Sequence, residues 1–333
     1  MKNKKLPLFF KPSTRAWLRE ARAMKGYSLF DALHGYIYAR LPYFYISVGT
    51  GQHPLTRILA PAAIKLINLL TRNAKNGTAA AQVSPEEIPP GALPNVTPGG
   101  MQFAHTYHGK VVPLEAAKQL VSVQQEIRVT DLEKVIPYKR ARDIILHNPD
   151  HIVALECPCR VAREHPCLPL DVCLIIGEPF ASFIAEHQPK RSRWITQQEA
   201  MDILKAEDER GHVHHAFFKD AMLGRFYAIC NCCDCCCGAM LAHRTGTPML
   251  TASGFRAAIE ASLCKGCGNC VSFCQFHAIS IVSNGAKHAQ IDPEKCMGCG
   301  VCLTHCPRQA LSLLRDPMKG EPLEIVKLME MPD

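Results

Sequence analysis

Apolar residues recur at helical spacing near the start of the chain. In residues 12–26, PSTRAWLREARAMKG, one face collects Trp17, Leu18, Ala21 and Met24 and another lines up Arg15, Arg19 and Arg22. Ser13 or Thr14 stands where a cap belongs, and Gly26 where a helix stops. SLFDALHGYIYAR predicts a second helix. In RILAPAAIKLINLLTR the polar positions Arg57, Lys65, Asn68 and Arg72 form a single stripe, with Pro61 on it and nearly everything else apolar. Residues 73–100 hold five prolines in their last sixteen positions and few large apolar groups, which reads as a linker.

The pattern then changes to alternating helices and strands. PLEAAKQLVSVQ is helical from Pro113, and EIRV is a short strand. Thr130 and Glu133 have capping-box spacing, and Pro137 opens a predicted helix with Tyr138, Ala141, Ile144 and Ile145 on one face. HIVALECPC, DVCLIIGEP and RFYAICNCC are predicted strands. Between the last two lies a helix, TQQEAMDILKAEDERG, capped by Thr196 with Glu199 and stopped at Gly211. Each of these three strands carries cysteine at or near an end, where α/β folds build their sites. His212, His214 and His215, just after the helix stop, read as a solvated loop, and His165 as a weak ligand candidate.

Charge is unevenly spread. The net charge is +8 over 333 residues, but residues 1–75 carry 13 Lys and Arg against only Glu20 and Asp31. A transmembrane helix needs about 20 predominantly apolar residues. Charges, prolines and glycines interrupt every candidate, so no span is expected. A basic stripe beside a broad apolar face fits a helix lying on an anionic membrane surface, or one packed on a partner or on the body of the protein. No nucleic acid is expected, because no recognition motif accompanies the charge.

All 18 cysteines fall between Cys157 and Cys306. The N-terminus lacks a secretory apolar stretch, and adjacent cysteines are awkward to bridge, so thiols in a reducing cytoplasm are expected rather than disulfides. Two runs stand out, CKGCGNCVSFC and CMGCGVCLTHCP, each C-x2-C-x2-C-x3-C. This spacing lets three thiolates wrap one iron–sulfur cube while the fourth reaches the neighbouring cube. It groups Cys264, Cys267, Cys270 and Cys306 on one [4Fe-4S] cluster, and Cys296, Cys299, Cys302 and Cys274 on a second. Glycines at 266, 268, 298 and 300 allow close turns, and HAISIV, AQID and ALSLL supply short strands with Ile279, Ile281, Ile291 and Leu311 as cover. A pair of zinc sites is the bland alternative. Residues 255–315 resemble the two-cluster bacterial ferredoxin family, except that Gln275 stands where the first run would have the proline found at Pro307.

Ten cysteines lie upstream: Cys157, Cys159, Cys167 and Cys173, then Cys230, Cys232, Cys233, Cys235, Cys236 and Cys237. An extended backbone would put Cys230, Cys232 and Cys236 on one side and Cys233, Cys235 and Cys237 on the other. The two stretches are candidates for meeting across the sheet around one or two more metal centres, with iron–sulfur favoured by excess soft thiolate and zinc, copper(I) or redox thiols as alternatives. Glu156, Arg160 and Asp234 flank the thiols, either placed to tune cluster charge or as plain surface groups. PYKRARDII…IVALECPCR…ICNCCDCCC ahead of a dicluster module looks like a group of anaerobe iron–sulfur proteins of 4Fe-4S ferredoxin type, over about residues 135–315. That resemblance implies several centres and electron transfer in anaerobic metabolism, and names no substrate.

The expected fold class is α+β. The expected layout is a basic helical module over 1–75, a linker over 76–100, an α/β cysteine-rich domain over 101–250, a dicluster ferredoxin module over 251–318 and a tail over 319–333. No P-loop, dinucleotide fingerprint or Ser-His-Asp set is present. The expected function is electron transfer between redox partner proteins. A reductase whose upstream cysteine site is catalytic and fed by the module is the alternative, and an adaptor docking a redox complex at a membrane face is a third.

Overall fold

The computed structural model describes residues 11–24, 26–54, 56, 83–284 and 286–330. The third amphipathic segment, 57–72, and the first part of the expected linker lie outside these residues.

The centre is an eight-stranded sheet that is antiparallel except at one edge. Its strands are β1 (Tyr107–Val112), β2 (Ile127–Val129), β3 (Ile144–Leu155), β4 (Cys173–Glu178), β5 (Ser192–Ile195), β6 (Val213–Lys219), β7 (Arg225–Cys232) and β8 (Leu250–Thr251). They run in the order β2-β3-β4-β7-β6-β1-β8, with β5 also pairing β3. Two facts about this order build the site. β3 and β7 both flank β4 antiparallel, so their carboxyl ends and the amino end of β4 share one edge of the sheet. In register, Leu155 faces Cys173 and Cys173 faces Cys230.

Each face of the sheet is covered by helices, because the strands are buried on both faces and read as near-continuous apolar runs. One face holds α1 (Pro12–Ala23), α2 (Leu29–Arg40), α3 (Pro42–Gly49) and α7 (Phe180–His187). The helix α4 (Pro98–Ala104) leads into β1, and α6 (Pro158–Val161) follows β3. The other face holds α5 (Leu114–Val121), α8 (Gln197–Glu209) and α12 (Ile325–Glu330). The short α9 (Gly238–Arg244) follows the cysteine-rich end of β7.

The amino-terminal helices are therefore part of the main core and not a separate module. Trp17 is 2% exposed and meets the ring edges of Phe180 and Phe183 at 5.4 and 4.9 Å. Ser13 and Thr14 do not cap α1. They are buried and bond Glu186 and His187 of α7, while Lys11 takes the cap position. Ser28 caps α2 in a full box with Asp31. The outward side of α2 and α3 is apolar, with Leu29 80% and Phe30 75% exposed and Leu33, Ile37, Leu41 and Phe44 continuing the stripe. No helix among the described residues is long and apolar enough to cross a membrane.

Three other expectations change. From residue 83 the proline-rich stretch is tied to the body: Ala252 donates to the Pro90 carbonyl at 2.8 Å and Thr97 to that of Gly246 at 2.9 Å. The helix expected from Pro137 is absent. Ala141 adopts a φ of 53°, outside the helical region, and β-branched Ile144 and Ile145 begin β3 instead, paired with Val129 and Arg128. His214 and His215 are buried inside β6, not in a solvated loop, because the chain turns at Gly211 straight into the strand.

The carboxyl-terminal module pairs β9 (Phe255–Ile259) with β12 (Leu311–Arg315), and β10 (Ile279–Asn284) with β11 (Ala286–Ile291). Two one-turn helices, α10 (Asn269–Ser272) and α11 (Val301–Thr304), occupy equivalent places in its halves. The module docks on α8: Thr304 donates to Asp208 at 2.5 Å, and Phe273 packs against Gly211, where a Cβ would lie 2.6 Å from the ring.

Candidate metal centres and an internal chamber

In the module each cysteine run closes a loop through glycines at positive φ. Gly298, at φ 66°, sits so close to the strand that a Cβ would lie 2.1 Å from the Phe255 carbonyl oxygen. Gly266 stands equally tight against Lys287 in the other half. The loops surround two cavities of about 20 Å³ each. Cys264, Cys267, Cys270 and Cys306 ring one, and Cys274, Cys296, Cys299 and Cys302 ring the other. Backbone N–H groups point at the sulfurs: Ala289 to Cys264, Ala310 to Cys306, Ala278 to Cys274 and Ala257 to Cys296, at 3.2 to 3.4 Å. Four soft donors around a small void, with amides aimed at the sulfur atoms, fit a cubane.

Residues 263–310 match the family model of the 4Fe-4S dicluster domain. This segment is a ferredoxin-type iron–sulfur module. No curated protein and no solved structure matches the chain, so the remaining residues are read from their own geometry.

The ten upstream cysteines come together at the shared sheet edge, and they divide. Cys167, Cys233, Cys235 and Cys236 form an outer group whose four sulfurs all lie within 4.8 Å of one another. Cys235 is its hub, with sulfur contacts of 3.2 Å to Cys167, 3.3 Å to Cys233 and 3.6 Å to Cys236. Burial works to raise the Cys235 pKa, yet the thiols of Cys167, Cys233 and Cys236 offset this and hold it below its ordinary value. A soft metal binds the thiolate, and this shift works in that direction. Arg163 donates to the Cys236 carbonyl at 3.1 and 3.2 Å, and Arg244 pairs with Asp234 in the same loop.

The other six form an inner group. Their thiols connect in sequence Cys230, Cys173, Cys157, Cys159, Cys237 and Cys232, the last two sulfurs 3.3 Å apart. The hydrogen bond with Cys159 pushes the Cys157 thiol up to about 12, and hydrogen bonds with Cys157 and Cys230 raise Cys173 further. A metal binding Cys157 or Cys173 would have to displace a proton held more tightly than usual.

The grouping departs from simple alternation. Cys230 and Cys232 share a face as extended backbone requires, but β7 ends at Cys232. The chain then turns, with Cys237 N–H donating to the Cys233 carbonyl at 3.0 Å. That turn sends Cys236 to the outer group and returns Cys237 to the inner one.

Both groups are held by buried polar contacts. Arg160, between the two loops, pairs with Glu207 of α8 at 2.6 Å and donates to the Asn231 carbonyl at 3.0 Å. Its partner carboxylate also meets His212 at 2.6 Å. His165 is exposed and outside the outer group. His215 is the register partner of Cys230, and neither of its buried ring nitrogens has a hydrogen-bond partner. Glu156, expected to flank the thiols, pairs with Arg191 on the surface.

The inner thiols line a chamber of about 180 Å³, which also touches Cys233 and Cys236 of the outer group. Its aromatic wall comes from α2, α3, α4, β1, β6 and β7. There the hydroxyls of Tyr38, Tyr107 and Tyr227 close a triangle of 3.0, 2.8 and 3.2 Å. The composition of these helices announces neither the chamber nor their role in it. The one signal is their tyrosine content, with Tyr36, Tyr38, Tyr43 and Tyr45 in a span of ten residues.

Module and upstream site meet at Gln275. Its Oε1 accepts the Asp234 N–H at 2.8 Å, and its Nε2 donates to the Gly211 carbonyl at 2.9 Å. Asp234 lies between Cys233 and Cys235, and Gln275 follows Cys274 directly. Beside them, His277 bonds the Asp234 carboxylate at 3.0 Å.

Proposed function

We propose that the chain is an iron–sulfur electron-transfer protein with one [4Fe-4S] cluster on Cys264, Cys267, Cys270 and Cys306 and a second on Cys274, Cys296, Cys299 and Cys302. A third, thiolate-bound centre belongs on Cys167, Cys233, Cys235 and Cys236. The observation that carries this reading is the pair of four-cysteine rings inside the dicluster match. Iron–sulfur is preferred to zinc at the outer group, since a bonded route leads there from the second ring. The route runs from Cys274 through Gln275 and one hydrogen bond to Asp234 between Cys233 and Cys235. Zinc at its end would carry no electron. Cys267 is exposed on the first ring, which makes that ring the place where a redox partner protein exchanges electrons.

Iron and sulfide analysis of protein purified without oxygen tests the reading. The module accounts for about eight irons and each upstream cubane for about four more. Cys235→Ser should remove the outer centre and leave the module's irons and spectrum in place. A chain that holds no iron, or in which every iron is lost together in Cys235→Ser, sinks the reading.

A second reading, a reductase fed by the module, is favoured by the chamber beside the outer group. The exposed apolar stripe on α2 and α3, in the most basic part of the chain, supports peripheral contact with an anionic membrane surface.

A further inference from the structure

Measured in the same way, the chamber is several times larger than either module cavity. Each module cavity is ringed by four cysteines and measures about 20 Å³, whereas the chamber measures about 180 Å³, roughly nine times as much. A centre on the inner thiols would leave much of that space unfilled. Beyond the inner thiols and Cys233 and Cys236 of the outer group, the wall bears no thiol. Tyr38, Tyr45, Ile46, Phe103, Tyr107 and Tyr227 present ring faces and aliphatic carbon. The chamber also reaches solvent, because Phe103, 43% exposed, and the exposed Gly49 both border it.

Of the polar groups here, Tyr45, Thr50, Arg160 and Asn231 are bonded elsewhere, whereas the hydroxyls of Tyr38, Tyr107 and Tyr227 bond one another. A hydroxyl offers one proton and two lone pairs. In a closed triangle each oxygen donates once and accepts once, which leaves each with one accepting position. The triangle is thus satisfied without a ligand and complementary to one that brings a single O–H.

We propose that the chamber is a ligand site in which an iron–sulfur centre on Cys157, Cys159, Cys173, Cys230, Cys232 and Cys237 occupies the thiol end. A small, flat, mainly apolar molecule bearing one hydroxyl lies against it under the tyrosine triangle. The inference rests on the thiolate-centre reading and extends it to the six inner cysteines. It assigns the chain a small-molecule partner in addition to its protein partners. Such a molecule would sit beside the inner centre, which adjoins the outer group that Gln275 joins to the module, the arrangement a reductase requires.

Phenol is a suitable probe. Full-length protein, purified anaerobically with its iron and sulfide counted, is titrated with phenol by calorimetry and by EPR. The expected result is saturable binding of one phenol per chain, with a change in the upstream signal and none in the module signals. Tyr107→Phe, which keeps the ring and removes one hydroxyl, should weaken binding about tenfold. Ala39→Leu fills the chamber wall, and Gly49→Phe, at a position where a Cβ meets nothing within 4 Å, narrows its mouth. At least one of these should abolish binding at unchanged iron content. Full iron content with no saturable binding, or binding untouched in both filled variants, overturns the ligand site alone. An iron count of about twelve or fewer, which the module and the outer group account for, overturns the inner centre, and the ligand site with it.

Discussion

Gln275 and Asp234 join the ferredoxin-type module to the upstream cysteine groups through one hydrogen bond of 2.8 Å. Ferredoxin-type runs place proline after the fourth cysteine, as Pro307 does in the second run here. A proline side chain at 275 has no group to accept the Asp234 N–H or to donate to Gly211. Gln275→Ala should keep all iron, while electrons pass from the module to the upstream centre at least about tenfold more slowly. Freeze-quench EPR after rapid reduction reads this directly. An unchanged rate rules out the Gln275 route.

Trp17 makes the amino-terminal helix part of the core. Trp17→Ala should destabilise the fold by about 3–5 kcal/mol, the usual cost of emptying a buried aromatic site. Thermal unfolding under anaerobic conditions measures it. A loss below about 1 kcal/mol would show that α1 is only loosely attached.

His243 provides an acid-sensitive contact. Its Nε2 bonds the Gly91 carbonyl at 3.1 Å and its Nδ1 faces the Leu250 N–H at 3.4 Å, an arrangement that suits the neutral ring. Burial lowers its pKa to about 4, against about 6.5 in an unfolded chain. Because the folded value is the lower one, stability present above about pH 6.5 is lost as the pH falls toward 4. Between about pH 7.5 and about pH 5.5 this residue should remove about 1.4 kcal/mol. Urea unfolding at the two pH values should show a drop smaller by that amount in His243→Gln than in the wild type. Equal drops would refute the assignment.

The stripe on α2 and α3 makes a membrane prediction. Leu29→Ser with Phe30→Ser should weaken binding to phosphatidylglycerol-containing vesicles about tenfold or more, since each apolar side chain contributes about 1 kcal/mol or more when buried. Salt should weaken the wild-type interaction, as screening of the basic region demands. Equal binding of variant and wild type, or equal binding to neutral vesicles, would remove the membrane from the account.

What the sequence determined by itself is local. The four-cysteine runs, with their glycines, fit a cluster loop by spacing alone, because three of the four donors lie within seven residues of one another. The Thr196 cap, and the strands that carry cysteine at their ends, were legible for the same reason. The tertiary structure decided which distant thiols share a site. Only the register of β4 against β7 sets Cys173 beside Cys230, and only the turn after Cys232 exchanges Cys236 and Cys237 between groups. The burial of His214, the bridging by Gln275 and the closing of a chamber by the amino-terminal tyrosines are likewise contacts between segments far apart in sequence. Periodicity and spacing describe neighbours along the chain; which elements pack face to face is settled by burying their apolar surfaces together.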